Sequence, residues 1–240
     1  MTNYYKNKFF SILGDSVSTL EGYSEPEFAA FYDTAHKLAA DVLTPLDTWW
    51  GQVIDRLGGE LLVNNSFSGS TVCRHSSHEI PSYACSDERT SALGRSGVMP
   101  DVIMVYMGTN DWGCGTKIRS EEDCKGAENP SVSFSTAYGS MLEKLRKNYP
   151  HAEIWCMSLA VSRCSAMEDF NFPYCYGGRH ITEYCDAIQT CAEKHGALFF
   201  DLYHCMEAYD TLDGFHPNAS GMKWIAEAVL SELENGFCDE

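Results

Sequence analysis

Apolar residues along the chain fall into short unbroken runs, separated by stretches in which they recur every three or four positions. Phe9-Phe10-Ser11-Ile12-Leu13 is the first run and reads as a buried strand. Leu61-Leu62-Val63 starts a second. Val102-Ile103-Met104-Val105-Tyr106-Met107 is the clearest, bounded by Pro100-Asp101 and Gly108. Ile154 to Leu159 and Leu198-Phe199-Phe200 complete a set of five. Between them the spacing turns helical. One helix is predicted from Thr48 to about Leu57, with Asp47 as its cap and Gly58-Gly59 as its stop. A second runs from about Ser133 to Asn148, before Pro150, and a third from Ile181 to Lys194, closed by Gly196. The last has helical spacing over Met222 to Leu230, with Pro217 where a helix can begin.

Strand followed by helix, repeated, predicts parallel strands with helices on both faces: an α/β, three-layer α/β/α sandwich around a five-stranded parallel sheet. No linker, repeat or low-complexity segment divides the 240 residues, so residues 1–240 read as one domain. The stretch from Gly113 to Pro130, rich in Gly, Cys and charge, reads as an exposed loop.

Composition narrows the partners. The 44% apolar share is enough for a real core, and the net charge of −17 repels phosphate backbones and anionic lipid. Nucleic acid and membrane surfaces are therefore excluded as expected partners, and a neutral small-molecule substrate is compatible. The amino terminus has no basic stretch leading into an apolar run, and no segment approaches the roughly 18 apolar residues of a membrane span. A cytoplasmic location is expected. The eleven cysteines are scattered without a C-x-x-C pair and read as free thiols in a reducing compartment. Cys73 with His75 and His78 could offer zinc ligands, but no second pair completes a site, and no metal is expected.

In an open parallel sheet, ligands bind beyond the carboxyl ends of the strands. Gly14-Asp15-Ser16 follows the first strand, a loop ending Ser68-Gly69 follows the second, and Gly108-Thr109-Asn110-Asp111 follows the third. Asp213-Gly214-Phe215-His216-Pro217 precedes the last helix. Each block has a chemical use. A serine hydroxyl is a weak nucleophile until a base takes its proton, and histidine suits that at neutral pH. Ser16 is the candidate nucleophile and His216 the candidate base. Asp213, three residues earlier, can reach the other ring nitrogen and fix tautomer and orientation. The oxyanion needs donors already in place. The backbone N–H groups of Ser16 and Gly69 and the side-chain amide of Asn110 can supply them, Gly69 because no side chain blocks approach there.

These blocks, in this order from Phe9 to about Val229, resemble those of the SGNH (GDSL-like) hydrolases, whose name lists their Ser, Gly, Asn and His. The resemblance implies a fold like flavodoxin's and ester hydrolysis through an acyl-enzyme. It further implies Ser16 as nucleophile, Asp213 and His216 as the rest of a triad, and Ser16, Gly69 and Asn110 as the oxyanion hole. Val17 stands where Leu or Ile is frequent. Residues 22–46 and 113–130 are longer than a minimal member needs and are expected to shape the substrate pocket.

The expected activity is that of a serine esterase on short-chain acyl esters, acetyl groups on carbohydrates among them, needing no metal or organic cofactor. A lipase, thioesterase or peptidase could use the same site. From another class, a non-catalytic α/β module binding flavins or nucleotides is disfavoured because G-x-G-x-x-G and the P-loop are absent, and a decayed hydrolase that only binds glycans because all the named catalytic groups are present. Asp15 and Asp111 read as residues holding their own turns, and Trp49 and Trp50 as core. Phe215 reads equally as packing or as lining of the acyl pocket. The remaining histidines (His36, His75, His78, His151, His180, His195 and His204) lack a companion like Asp213 and read as surface or core residues.

Overall fold

The computed structural model describes residues 4–74, 83–118, 133–205 and 207–236. Its frame is a sheet of five strands: β1 (Phe9–Gly14), β2 (Glu60–Ser66), β3 (Val102–Tyr106), β4 (Glu153–Met157) and a strand at Leu198–Phe200. All neighbouring pairs are parallel, and the order is β2-β1-β3-β4 followed by Leu198–Phe200. This is the flavodoxin-like order, in which the chain reverses direction across the sheet between β1 and β3. Ligand crevices of such sheets open at that reversal, and β1 carries the first candidate block at its carboxyl end.

Alternation along the strands sorts the two faces. Phe10, Ile12, Met104, Tyr106 and Trp155 face one layer, with helices α2 (Trp49–Leu57) and α7 (Ala219–Gly236) packed over them. Leu13, Ile103, Val105, Ile154 and Cys156 face the other, under α5 (Phe134–Asn148) and α6 (Ile181–Lys194). The strands read as continuous apolar runs because both faces are covered.

Several details differ from the sequence pattern. The cap of α2 is Thr48, whose hydroxyl accepts from Gly51 N–H at 3.1 Å. Asp47 instead closes a short 3-10 turn, Pro45–Asp47, its carboxylate accepting from Leu43 N–H and Thr44 N–H. α7 begins at Ala219, two residues after Pro217, with Asn218 capping it through Gly221 N–H. Three short helices escape the periodicity: α1 (Thr34–Ala40), α3 (Asp87–Ser91) and α4 (Thr109–Gly113). So does a two-stranded parallel ribbon of β5 (Ser162–Arg163) and β7 (Tyr209–Asp210), the Leu198–Phe200 strand being β6. Elements of two to seven residues hold too little apolar repeat to register.

All nine described cysteines are free thiols; Cys124 and Cys238 lie outside the described residues, as do His75, His78 and most of the predicted 113–130 loop. Among the described residues no group of three His, Cys, Asp or Glu side chains could hold a metal ion, and no helix is long and apolar enough to cross a membrane.

Candidate active site

β1 ends at Gly14, where a Cβ would lie 2.6 Å from Ser18 and Ser66, so only glycine lets the chain turn this tightly against β2. The chain then enters a 3-10 turn, Ser16–Ser18, capped by Asp15, whose carboxylate accepts from Val17 N–H at 3.1 Å. Ser18 anchors the far end of the turn. Trp50 and Asn64 donate to its carbonyl and Trp49 to its hydroxyl, at 3.0, 2.9 and 3.2 Å. Trp49 and Trp50 are thus core residues, as predicted, whose indole N–H groups also hold the serine turn.

The other end of the constellation is held by the β5/β7 ribbon. Thr211 leaves β7, donates to Arg163 O, and its hydroxyl accepts from Gly214 N–H at 2.9 Å. Ser162 and Tyr209 donate to the carbonyls of Gly214 and Phe215. Within this loop Oδ1 of Asp213 accepts the backbone N–H groups of Phe215 and His216, at 3.0 and 2.9 Å. Oδ2 lies 2.7 Å from His216 Nδ1, and His216 Nε2 lies 2.9 Å from Ser16 Oγ. The fold therefore joins Ser16, His216 and Asp213, 200 residues apart at the extremes, in one hydrogen-bonded row. Burial pushes the Asp213 carboxyl up, but the His216 ring and the two backbone N–H groups outweigh it and hold it at about 2. It is ionised at any working pH.

The candidate oxyanion donors lie on the two loops next to this row. Gly69 has φ +80°, a backbone conformation that favours glycine, and no described atom lies within 4 Å of a would-be Cβ there. Asn110, in the first turn of α4, donates one amide hydrogen to Ser70 O at 2.9 Å, and its second meets no acceptor among the described residues. The N–H groups of Ser16 and Gly69 meet no acceptor among the described residues. The first N–H groups of a helical turn have no partner within it.

Asp111 holds more than its own loop. Its buried carboxylate reaches across to accept Val72 and Cys73 N–H at 2.7 and 3.1 Å. With Asn110 it clamps the segment that follows Gly69. Beneath these loops lies Arg89, which is fully buried and has no signal in the sequence pattern. Its guanidinium donates to Gly14 O, to Asn65 Oδ1 and O, and to Ser70 Oγ, tying β1, β2 and the Gly69 loop together. Burial lowers it to about 9, against the pull of Asp15. Burial likewise raises Asp15 to about 7 and Asp111 to about 6.

Two other histidines do have an aspartate three residues earlier. His36 Nδ1 lies 2.9 Å from Asp33 and His204 Nδ1 lies 2.6 Å from Asp201, correcting the expectation that they lack such a companion. The Asp-x-x-His offset builds the same pair wherever the chain turns tightly. Among the described residues only His216 reaches Ser16 Oγ. Asp201 and His204 follow β6, three strand positions from β1, roughly 14 Å at the usual strand spacing.

Aromatic rings border the row on both sides. Phe31 stacks on His216, with centroids 3.5 Å apart and planes 7° from parallel. Phe215 stacks on Tyr176 at 5.1 Å and meets Trp112 edge-on. Tyr176 also lies against Gly113, at the end of α4, and is 45% exposed. A cavity of about 460 Å³ lined by Tyr5, Glu153 and Leu198 opens at the amino ends of the strands, away from this site.

The sequence profile of one family, GDSL-like lipase/acylhydrolase, matches residues 8–165. No curated protein matches the chain. Among solved structures, a Bacteroides uniformis protein assigned as a GDSL-like lipase is 28% identical and superposes with a TM-score of 0.69, covering 98% of this chain and 99% of its own. A Bacteroides ovatus protein with the same assignment is 25% identical, with a TM-score of 0.69 over 96% and 99% of the two chains. A carbohydrate acetylesterase from Sinorhizobium meliloti shares the fold at 16% identity, with a TM-score of 0.59 over 95% and 99%.

Proposed function

Because the chain belongs to the GDSL-like lipase/acylhydrolase family, we propose that it is a serine ester hydrolase working through an acyl-enzyme, with Ser16 as nucleophile. The observation that carries this reading is the row of two hydrogen bonds from Asp213 through His216 to Ser16, at 2.7 and 2.9 Å. In the proposed reaction His216 Nε2 takes the Ser16 proton as Oγ attacks the ester carbonyl. Asp213 fixes the ring tautomer and stabilises the imidazolium that forms. The tetrahedral oxyanion is received by the N–H groups of Ser16 and Gly69 and by the free amide hydrogen of Asn110. His216 then gives its proton to the leaving alcohol. Water, deprotonated by the same ring, releases the acyl group.

For the substrate we propose short acyl esters, acetyl groups on carbohydrates among them. Flat rings near the base support this. The half-exposed Tyr176, stacked on Phe215 and packed at the end of α4, offers a face on which a sugar or aryl alcohol can lie. The test is reaction with a fluorophosphonate followed by mapping of the modified residue, together with hydrolysis of 4-nitrophenyl acetate by the parent and by Ser16→Ala. Modification at Ser16 and loss of turnover in the variant are expected; full activity of Ser16→Ala would overturn the assignment. A panel of acetylated sugars against longer-chain esters then separates the acetylesterase from a lipase.

A further inference from the structure

The segment 28–32 lies in the long stretch between β1 and α2, and it touches three of the four candidate blocks. Ala29 O accepts Ser68 N–H at 2.7 Å, one residue before Gly69. Phe31 N–H donates to Thr19 Oγ1 at 2.9 Å, and the Thr19 hydroxyl donates to the carbonyl of Ser16 at 2.8 Å. The buried Tyr32 hydroxyl donates to Pro217 O, next to His216, at 2.6 Å. Between these anchors the Phe31 ring lies flat on the His216 imidazole.

We infer that Phe31 is a positioning residue for the base: its ring, anchored through Thr19 and Tyr32, sets the plane of the His216 imidazole so that Nε2 faces Ser16 Oγ. The inference rests on the esterase reading above. The bond from Nδ1 to Asp213 fixes one point of the imidazole but leaves the ring free to tip about that point. A flat apolar face 3.5 Å away and 7° from parallel removes that freedom. Both anchors of the face are the loops that carry the reacting pair, so the nucleophile and the plane of its base are set by one segment. Proton transfer needs a heavy-atom approach of about 3 Å, and a misplacement of about 1 Å can cost 10²-fold.

A side chain that only filled space would be replaced by another apolar one at no cost to turnover. The test compares Phe31→Leu, which keeps apolar bulk without a flat face, with Phe31→Tyr, which keeps the face. The assay is hydrolysis of 4-nitrophenyl acetate, with Ser16→Ala as control and a thermal melt for each protein. Phe31→Leu is expected to lower kcat about tenfold with KM within about twofold, and Phe31→Tyr to restore kcat. The NMR signal of the His216 Cε1 proton, shifted upfield by the stacked ring in the parent, is expected to move downfield in Phe31→Leu and not in Phe31→Tyr. An unchanged kcat in Phe31→Leu, a loss confined to KM, or a Phe31→Tyr protein as slow as Phe31→Leu would overturn the inference. If the parent shows no turnover that depends on Ser16, the esterase reading falls and takes the inference with it. If the parent is active and only the Phe31 results fail, the esterase reading stands.

Discussion

Asp213 holds His216 at two points and its neighbour at a third: Oδ2 lies 2.7 Å from His216 Nδ1, and Oδ1 accepts the backbone N–H groups of His216 and Phe215. One carboxylate thus fixes both the loop and the ring it carries. The same offset occurs at Asp33–His36 and Asp201–His204, where neither ring is hydrogen-bonded to a serine among the described residues.

That recurrence makes a sharp comparison possible. Asp213→Asn is expected to lower kcat about 10³–10⁴-fold, because the amide no longer selects the tautomer with Nε2 free to accept a proton. His204→Ala, which removes an exposed ring remote from Ser16, should leave kcat unchanged. Steady-state hydrolysis of a short aryl ester measures both, and equal losses in the two variants would mean that His216 is not the base.

The oxyanion donors can be tested apart from the triad. Asn110→Ala is expected to cost about 10²–10³ in kcat with little change in KM, the usual loss for one donor aimed at a developing charge. Gly69→Ala adds a methyl to open space but puts alanine at φ +80°, at a cost of about 1–2 kcal/mol unless the backbone relaxes. Relaxation would turn the N–H away, so kcat should fall there too. If Gly69→Ala proves as active as the parent, the Gly69 N–H does not serve the reaction.

Rate and stability should depend on pH through different carboxylates. Asp213, held at about 2, is ionised throughout any practical assay, so an acid limb between pH 5 and 8 belongs to another group. Its stabilising contribution is present above about pH 4 and is lost only as pH falls through about 2. Asp15 and Asp111 act in the opposite sense. Their folded values, about 7 and about 6, lie above the ordinary carboxylate value, so between pH 4 and 7 the folded chain binds more protons than the unfolded one. Stability then falls as pH rises through that window. Tm is expected to rise on acidification from pH 8 to 5.5, and Asp15→Asn should flatten that slope. Calorimetry showing a steady fall in Tm over the same interval would contradict this account.

Arg89 is the buried cation under the site. Arg89→Met is expected to destabilise the protein by about 3 kcal/mol, since it removes the buried hydrogen bonds to Gly14 O, to Asn65 Oδ1 and O and to Ser70 Oγ and leaves Asp15 without its nearby positive charge. Arg89→Lys should recover part of this, as one ammonium cannot reproduce the planar fork. Urea denaturation followed by tryptophan fluorescence reads both; a Met variant as stable as the parent would show that these acceptors find other partners.

The alternation of apolar runs with helical spacing was enough to determine the five parallel strands, the two-faced sheet and the four longest helices. Hydrophobic period is a local property and both faces of the sheet are covered. The same reading picked out Ser16, Gly69, Asn110, Asp213 and His216 as candidates, because each stands near a strand end or helix start that the pattern marks. It took Asp213 and His216 from their place before the last helix and passed over Asp33–His36 and Asp201–His204, although an offset of three residues closes the same hydrogen bond at any tight turn. The tertiary structure distinguishes them: among the described residues only the His216 ring reaches Ser16 Oγ, while His204 follows β6 and His36 lies on the Phe31 ring without reaching the serine. Nor did local pattern reveal Arg89, whose partners come from β1, β2 and the loop after β2, or Phe31, whose flat contact with His216 spans 185 positions of the chain. Contacts between side chains distant in sequence depend on how loops without periodicity cross the sheet edge. That crossing is set by burial and hydrogen bonding in three dimensions, and no window along the chain contains it.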